Sequence, residues 1–243
     1  MCGRYSLSSE SYNSFIEFMD MGYPFSVPSR FNVAPTQPVA VLRLKGSDID
    51  QSINIDAPLP AKEGALMRWG LIPHFAKEIQ TDRPLINARS ETIDQKPSFQ
   101  GPFKRRKCLI VADGYYEWKR GGASPVPYHI CLPDKKPFVF AGIWQAWTGP
   151  AGEDWLETVA IITKASSGAL KKIHHRAPII ICPEDYDNWL RPSDPPDMNI
   201  FKTLSNKLEK KLEIYQVNPY VNNVRHDGEL CIKPATTDQF KLF

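Results

Sequence analysis

Apolar positions along the chain follow two rhythms. Over residues 9–20, Phe15, Ile16, Phe18 and Met19 form one face of a helical register; Ser8 or Ser9 can cap its start, and Gly22 and Pro24 end it. Elsewhere the apolar residues gather in short runs that predict strands at 30–33, 39–44, 65–69, 107–112, 115–119, 128–132, 138–144, 158–163, 178–181 and 214–217. The runs 107–112 and 115–119 meet at Asp113-Gly114, a pair that signals a hairpin. Helices are expected at 166–172, at 183–190 with Pro183 in the first position, and at 198–211. The polar stretch 45–64 reads as an excursion from the core, and the proline-rich 191–197 is the nearest thing to a linker. Strands fill the middle and helices the margins. This predicts an α+β chain with a closed, barrel-like or strongly curved, mainly antiparallel sheet and peripheral helices, not a repeating βαβ order.

Composition narrows this picture. A chain of 243 residues with 42% hydrophobic content can bury a large core, and the pattern favours one domain over two small ones. Charged residues make up 23% and are spread along the chain, which argues against long disorder. The net charge of +3 permits nucleic-acid binding without indicating it, so any basic surface must be local. The run Lys104-Arg105-Arg106-Lys107 is read as a solvated turn in preference to such a surface. The five cysteines are scattered with no CxxC pair; Cys108, Cys131 and Cys182 sit in or beside apolar runs. Buried reduced thiols in a reducing compartment follow, with no structural zinc and no metal or cofactor implied. Arg4 precedes no apolar signal segment, and no run approaches the roughly 20 residues of a membrane span, so a soluble protein with no membrane partner is expected.

Candidate chemistry begins at Cys2. If Met1 is removed, an amine with a pKa of about 7.7–8.0 and a thiol near about 8.5 lie on one residue. That pair can condense with an aldehyde as an imine and close a thiazolidine; the alternative is an incidental cysteine at a frayed end. In 115–119, alternation puts Glu117 on one face with Tyr115 and Lys119, opposite Tyr116 and Trp118. Facing a pocket, Glu117 would suit proton transfer; facing water, it would pair with Lys119 or Arg120. The segment Ile173-His174-His175-Arg176-Ala177-Pro178 offers two imidazoles and a guanidinium for proton transfer and phosphate binding, or equally for capping the helix before it. Residues 85–92 turn abruptly polar at Asn87, Arg89, Ser90 and Glu91, either as a functional cluster or as a strand entering a helix capped by Ser90. Residues 32–36 could present backbone donors or form an ordinary turn.

Together these segments resemble a known family. Met1-Cys2-Gly3-Arg4-Tyr5, Phe31-Asn32-Val33-Ala34-Pro35-Thr36, Met67-Arg68-Trp69-Gly70-Leu71-Ile72-Pro73, residues 86–92, Ala112-Asp113-Gly114-Tyr115-Tyr116-Glu117-Trp118 and residues 173–178 occur in the order seen in the SOS-response-associated peptidase family, SRAP. The resemblance implies a single SRAP domain over 1–243, with 2–232 covered and 233–243 a tail. It implies a protein that recognises abasic sites in single-stranded DNA and cross-links to them through Cys2 during the DNA damage response. Cys2, Asn87, Glu117 and His174 match the family's active-site residues; Arg4, Arg89 and Arg176 match positions that hold phosphates. His175 falls at a variable position. Where many relatives carry tryptophan after Pro73, this chain has His74-Phe75-Ala76, leaving Phe75 to stack on nucleotides over a smaller surface. A monomer is expected in the cytoplasm, on the nucleoid in a bacterium or in the nucleus of a eukaryote. Two other functions fit the same residues: an N-terminal-nucleophile peptidase acting on an amide, and a single-stranded DNA-binding module without chemistry.

Overall fold

The computed structural model describes residues 2–21, 25–46, 58–79, 82–122, 124–152 and 154–235. The strands in chain order are β1 Tyr5–Leu7, β2 Arg30–Val33, β3 Pro38–Leu44, β4 Lys62–Trp69, β5 Asn87–Arg89, β6 Lys107–Ala112, β7 Gly114–Lys119, β8 Val126–Cys131, β9 Phe138–Trp147, β10 Leu156–Ala165, β11 Arg176–Pro178, β12 Ile180–Ile181 and β13 Glu213–Gln216. The helices are α1 Ser9–Phe18, α2 Pro97–Arg105, α3 Tyr186–Leu190 and α4 Ile200–Thr203.

Strands β4, β3, β6, β9 and β10 close on themselves as a barrel. All its pairings are antiparallel except β10 with β4, where Thr158 and Val159 lie beside Arg68 and Trp69. Every residue of β6 is buried, because one face fills the barrel and the other lies under helices. Trp189 of α3, for instance, donates its indole N–H to the Cys108 carbonyl at 2.9 Å. Past the end of β4, β10 gains new neighbours on both edges. Ile161 and Thr163 pair in parallel with Asn87 and Arg89 of β5, while Thr163 and Ala165 pair with Pro178 and Arg176 of β11.

A second, wholly antiparallel sheet runs β13-β8-β7-β1-β2. Tyr5 and Tyr115 are partners across β1 and β7, and their rings pack edge-on against Phe140 of the barrel; Tyr5 also meets Trp69. This face of β7 therefore looks into the seam between sheet and barrel. Tyr116 on the opposite face joins a separate cluster with Val217, Val221 and Cys231. The five cysteines are buried and free.

Several expectations change. Asp113-Gly114 does not make a hairpin: β6 pairs with β3 and β9, whereas β7 pairs with β8 and β1, so the chain crosses between layers here. Asp113 accepts bonds from the Ser6 hydroxyl at 2.6 Å and the Ser8 N–H at 2.7 Å, and Gly114 passes so close to His129 that a β-carbon would lie 2.2 Å from its Nε2. Tertiary contacts, not turn geometry, select these two residues. The helix expected at 166–172 shrinks to a 3₁₀ turn at Leu170–Lys172. That at 183–190 opens as a 3₁₀ turn, Pro183–Asp185, before α3, and that at 198–211 splits into α4 and a 3₁₀ turn at Glu209–Lys211. Asp185 captures the Ser205 N–H at 2.7 Å, which holds the chain extended after α4. The basic run is not a solvated turn either. Lys104 and Arg105 end α2, and Lys107 is buried in β6, where its ammonium donates to the Arg191 carbonyl at 2.8 Å and faces the Phe103 and Trp189 rings. Of the excursion at 45–64, residues 47–57 lie outside the described residues and 62–64 belong to β4.

Candidate active site

Four segments converge at the end of β10. Cys2 enters just ahead of β1, Asn87 opens β5, Glu117 projects from the seam face of β7, and His174 ends the turn before β11. Asn87 donates its side-chain N–H to the Cys2 carbonyl at 2.9 Å, while its Oδ1 is buried without a partner. Cys2 is 0% exposed, with its thiol 4.0 Å from the Arg4 carbonyl. Burial, then the nearby Glu117 charge, push that thiol well above its usual range.

Glu117 is 4% exposed, so the water-facing reading of this residue is wrong, and burial raises its carboxyl to about 7. It approaches His174 Nδ1 at 3.8 Å, an electrostatic contact too long for a hydrogen bond. Burial lowers the pKa of His174, favouring the neutral ring. Its Nδ1 lies 3.1 Å from both the N–H and the carbonyl of Arg176, accepting from the first or donating to the second according to the tautomer. The ring of His175 lies 4.3 Å from that of His174, tilted by 34°, and His175 is exposed.

The cations are placed differently from one another. Arg4 is held by Asn32 Oδ1 at 2.8 Å and the Val221 carbonyl at 3.1 Å, 5.7 Å from the centre of the Trp118 ring. With Gly3, Glu117, Trp118, Arg120 and His174 it lines a cavity of about 410 Å³. Arg89 is exposed at the end of β5. Arg176 is 8% exposed, and its fork is filled: Nη1 and Nη2 donate to the two Glu91 oxygens at 2.6 and 2.9 Å, and Nη2 also donates to the Thr163 carbonyl at 2.6 Å. Phe75 is 55% exposed beside a separate hollow of about 470 Å³ that includes Pro73 and Arg83.

The structure thus gathers Cys2, Asn87, Glu117, His174, Arg4 and Arg176, and leaves Phe75 and Arg89 at the surface. Asn32 goes beyond its reading as a turn: fully buried, it accepts from Arg4 and donates to the carbonyls of Val221, Asn223 and His226. Glu91 was visible only as one charge in a polar cluster, since its partner lies 85 residues away. Among the described residues no cluster of three or more His, Cys, Asp or Glu could hold a metal ion.

The profile of the SOS response associated peptidase (SRAP) family matches residues 1–224. The chain belongs to this family. Among its relatives, the abasic site processing protein YoqW of Bacillus subtilis is 34% identical over 237 residues, covering 96% of this chain and 99% of that protein. The abasic site processing protein HMCES of Gallus gallus is 31% identical over 191 residues, covering 69% of this chain and 56% of that protein. A crystal structure of a protein from Bacteroides thetaiotaomicron superposes with a TM-score of 0.66 at 25% identity, covering 96% of this chain and 93% of that one. The barrel, the covering sheet and the few helices are accordingly the SRAP fold. Among the described residues, no helix of this SRAP chain is long and apolar enough to cross a membrane.

Proposed function

We propose that the protein processes abasic sites in single-stranded DNA by a covalent route through Cys2, after Met1 is removed. The observation that carries this reading is the 2.9 Å bond from Asn87 to the Cys2 carbonyl, which fixes the first residue of the processed chain beside Glu117 and His174. In this reaction Glu117, with a carboxyl near 7, moves the proton that opens the closed sugar to its aldehyde. The Cys2 amine attacks C1′ to give a carbinolamine; protonation of its hydroxyl expels water and leaves the imine. The thiol then adds to the same carbon. The C–S bond forms, the C=N electron pair moves to nitrogen, and the thiol proton ends there, closing a thiazolidine. His174 relays protons in these steps, and the ring removes the imine before it can drive β-elimination and strand cleavage.

Binding to the strand rests in this reading on phosphate contacts from Arg4 and the exposed Arg89, with Phe75 stacking on a base. Arg176 can offer its fork to a phosphate only by releasing Glu91. Mass spectrometry of the Met1-free protein mixed with an abasic oligonucleotide tests the chemistry. The wild type should gain the mass of the oligonucleotide less one water, located at Cys2. Cys2→Ser should yield little heat-stable adduct while keeping DNA affinity; a normal yield from that variant rejects the thiazolidine route.

A further inference from the structure

On the abasic-site reading above, we infer that Glu91 is a positioning residue that acts through Arg176 to brace the two segments carrying Asn87 and His174. Glu91 lies in the 3₁₀ turn Ser90–Thr92 directly after β5, four residues beyond Asn87. Arg176 opens β11, two residues beyond His174. These segments flank opposite edges of β10: Thr163 pairs with Arg89 on one side and Pro178 on the other. The Arg176 guanidinium spans the gap, giving two parallel bonds to Glu91 and one to the Thr163 backbone. Such a fork fixes both distance and angle, which a point charge cannot do. The same residue supplies the backbone N–H at 3.1 Å from His174 Nδ1, so fixing Arg176 fixes the imidazole.

The arrangement separates two roles that one arginine could play. A phosphate clamp keeps its fork open to solvent; here Arg176 is buried and its fork is occupied by the half-exposed Glu91 carboxylate. Glu91 holds it as a full anion, because the hydrogen bonds from Arg176 drive the Glu91 carboxyl down to about 2. Asn87 and His174 must reach the Cys2 amine and the sugar from different strands, and the brace links those strands directly.

The test compares wild type, Glu91→Gln and Arg176→Lys in two assays: single-turnover cross-linking at saturating abasic oligonucleotide across pH, and binding of an intact oligonucleotide across salt. Both variants should cross-link about tenfold more slowly with a displaced pH profile, at near-wild-type affinity and an unchanged salt slope. Tighter binding with a steeper slope in Glu91→Gln would show that the fork is a phosphate clamp occupied by Glu91, and would overturn the inference. So would an unchanged rate and pH profile accompanied only by a lower Tm. If either variant fails to fold, the reciprocal exchange Glu91→Arg with Arg176→Glu decides: a folded exchange that recovers most of the rate supports the brace, and one that does not refutes it. Absence of any wild-type adduct would reject the abasic-site reading itself. The brace would then be judged by nitrogen NMR of the His174 ring, whose resonances must move in Glu91→Gln.

Discussion

Burial holds the Glu117 carboxyl near pH 7, so the property that suits it to proton transfer also weakens the fold. In the unfolded chain a glutamate ionises near about 4.3. Below that pH both states are protonated and the stability is fully present; it is lost as pH rises to about 7, where the buried carboxyl finally ionises. The loss at pH 8 is about 3 kcal/mol. Glu117→Gln should therefore raise Tm at pH 8 while slowing cross-linking about 100-fold and abolishing any fall in rate above pH 7. A thermal melt that shows no gain would mean that the carboxylate is not strained. Phe75, exposed beside its hollow, is a second residue with a separable role. Phe75→Ala should weaken binding of an intact single strand about tenfold, as loss of one stacked base does, without changing the cross-linking rate at saturation. Unchanged affinity by fluorescence anisotropy would remove Phe75 from the DNA surface. Strand alternation alone set Glu117 beside Tyr115 and away from Tyr116. Its burial was not legible, because that depends on a barrel contributed by other segments.

At the scale of elements, the Asp113-Gly114 crossing shows what local pattern misses. The two residues have the chemistry of a tight turn, yet they serve a junction where β6 leaves the barrel and β7 enters the covering sheet. His129 is held there on both ring nitrogens, by Ser6 Oγ at 3.1 Å and Tyr215 Oη at 3.0 Å, so it cannot swing aside for a new methyl group. Gly114→Ala should cost about 3 kcal/mol and lower Tm by roughly 10 °C. Gly101→Ala in α2, where the new methyl group meets open space, should be neutral or slightly stabilising. Equal melting of the two variants would refute the close-approach argument. Strand β6, a strong apolar run, was legible at both ends, as was the shorter β2. Helix α2 was not, because Gly101 and Pro102 interrupt its pattern, and β1 was too short to show a period.

Across the whole molecule, a net charge of +3 gives no broad electrostatic surface, so binding must depend on a few local contacts. With the two phosphates held by Arg4 and Arg89 engaged on a single strand, log affinity should fall against log salt with a slope of about −1.4. Arg89→Ala should reduce that slope by about 0.7 with little change in the cross-linking rate at saturation. A slope steeper than about −4 would reveal a basic surface beyond Arg4 and Arg89. The order in which the layers are built has another consequence. The chain lays down β1 and β2 in the covering sheet, β3 to β6 on the barrel, β7 and β8 in the sheet, β9 to β12 on the barrel, and β13 in the sheet again. Any single cut between β1 and β13 divides the covering sheet, and any cut between β3 and β12 divides the barrel as well. A recombination event with a single crossover between β3 and β12 would join this chain to a distant relative within both layers and leave each with strands fitted to a different partner, so the weave favours inheritance of these strands as one unit.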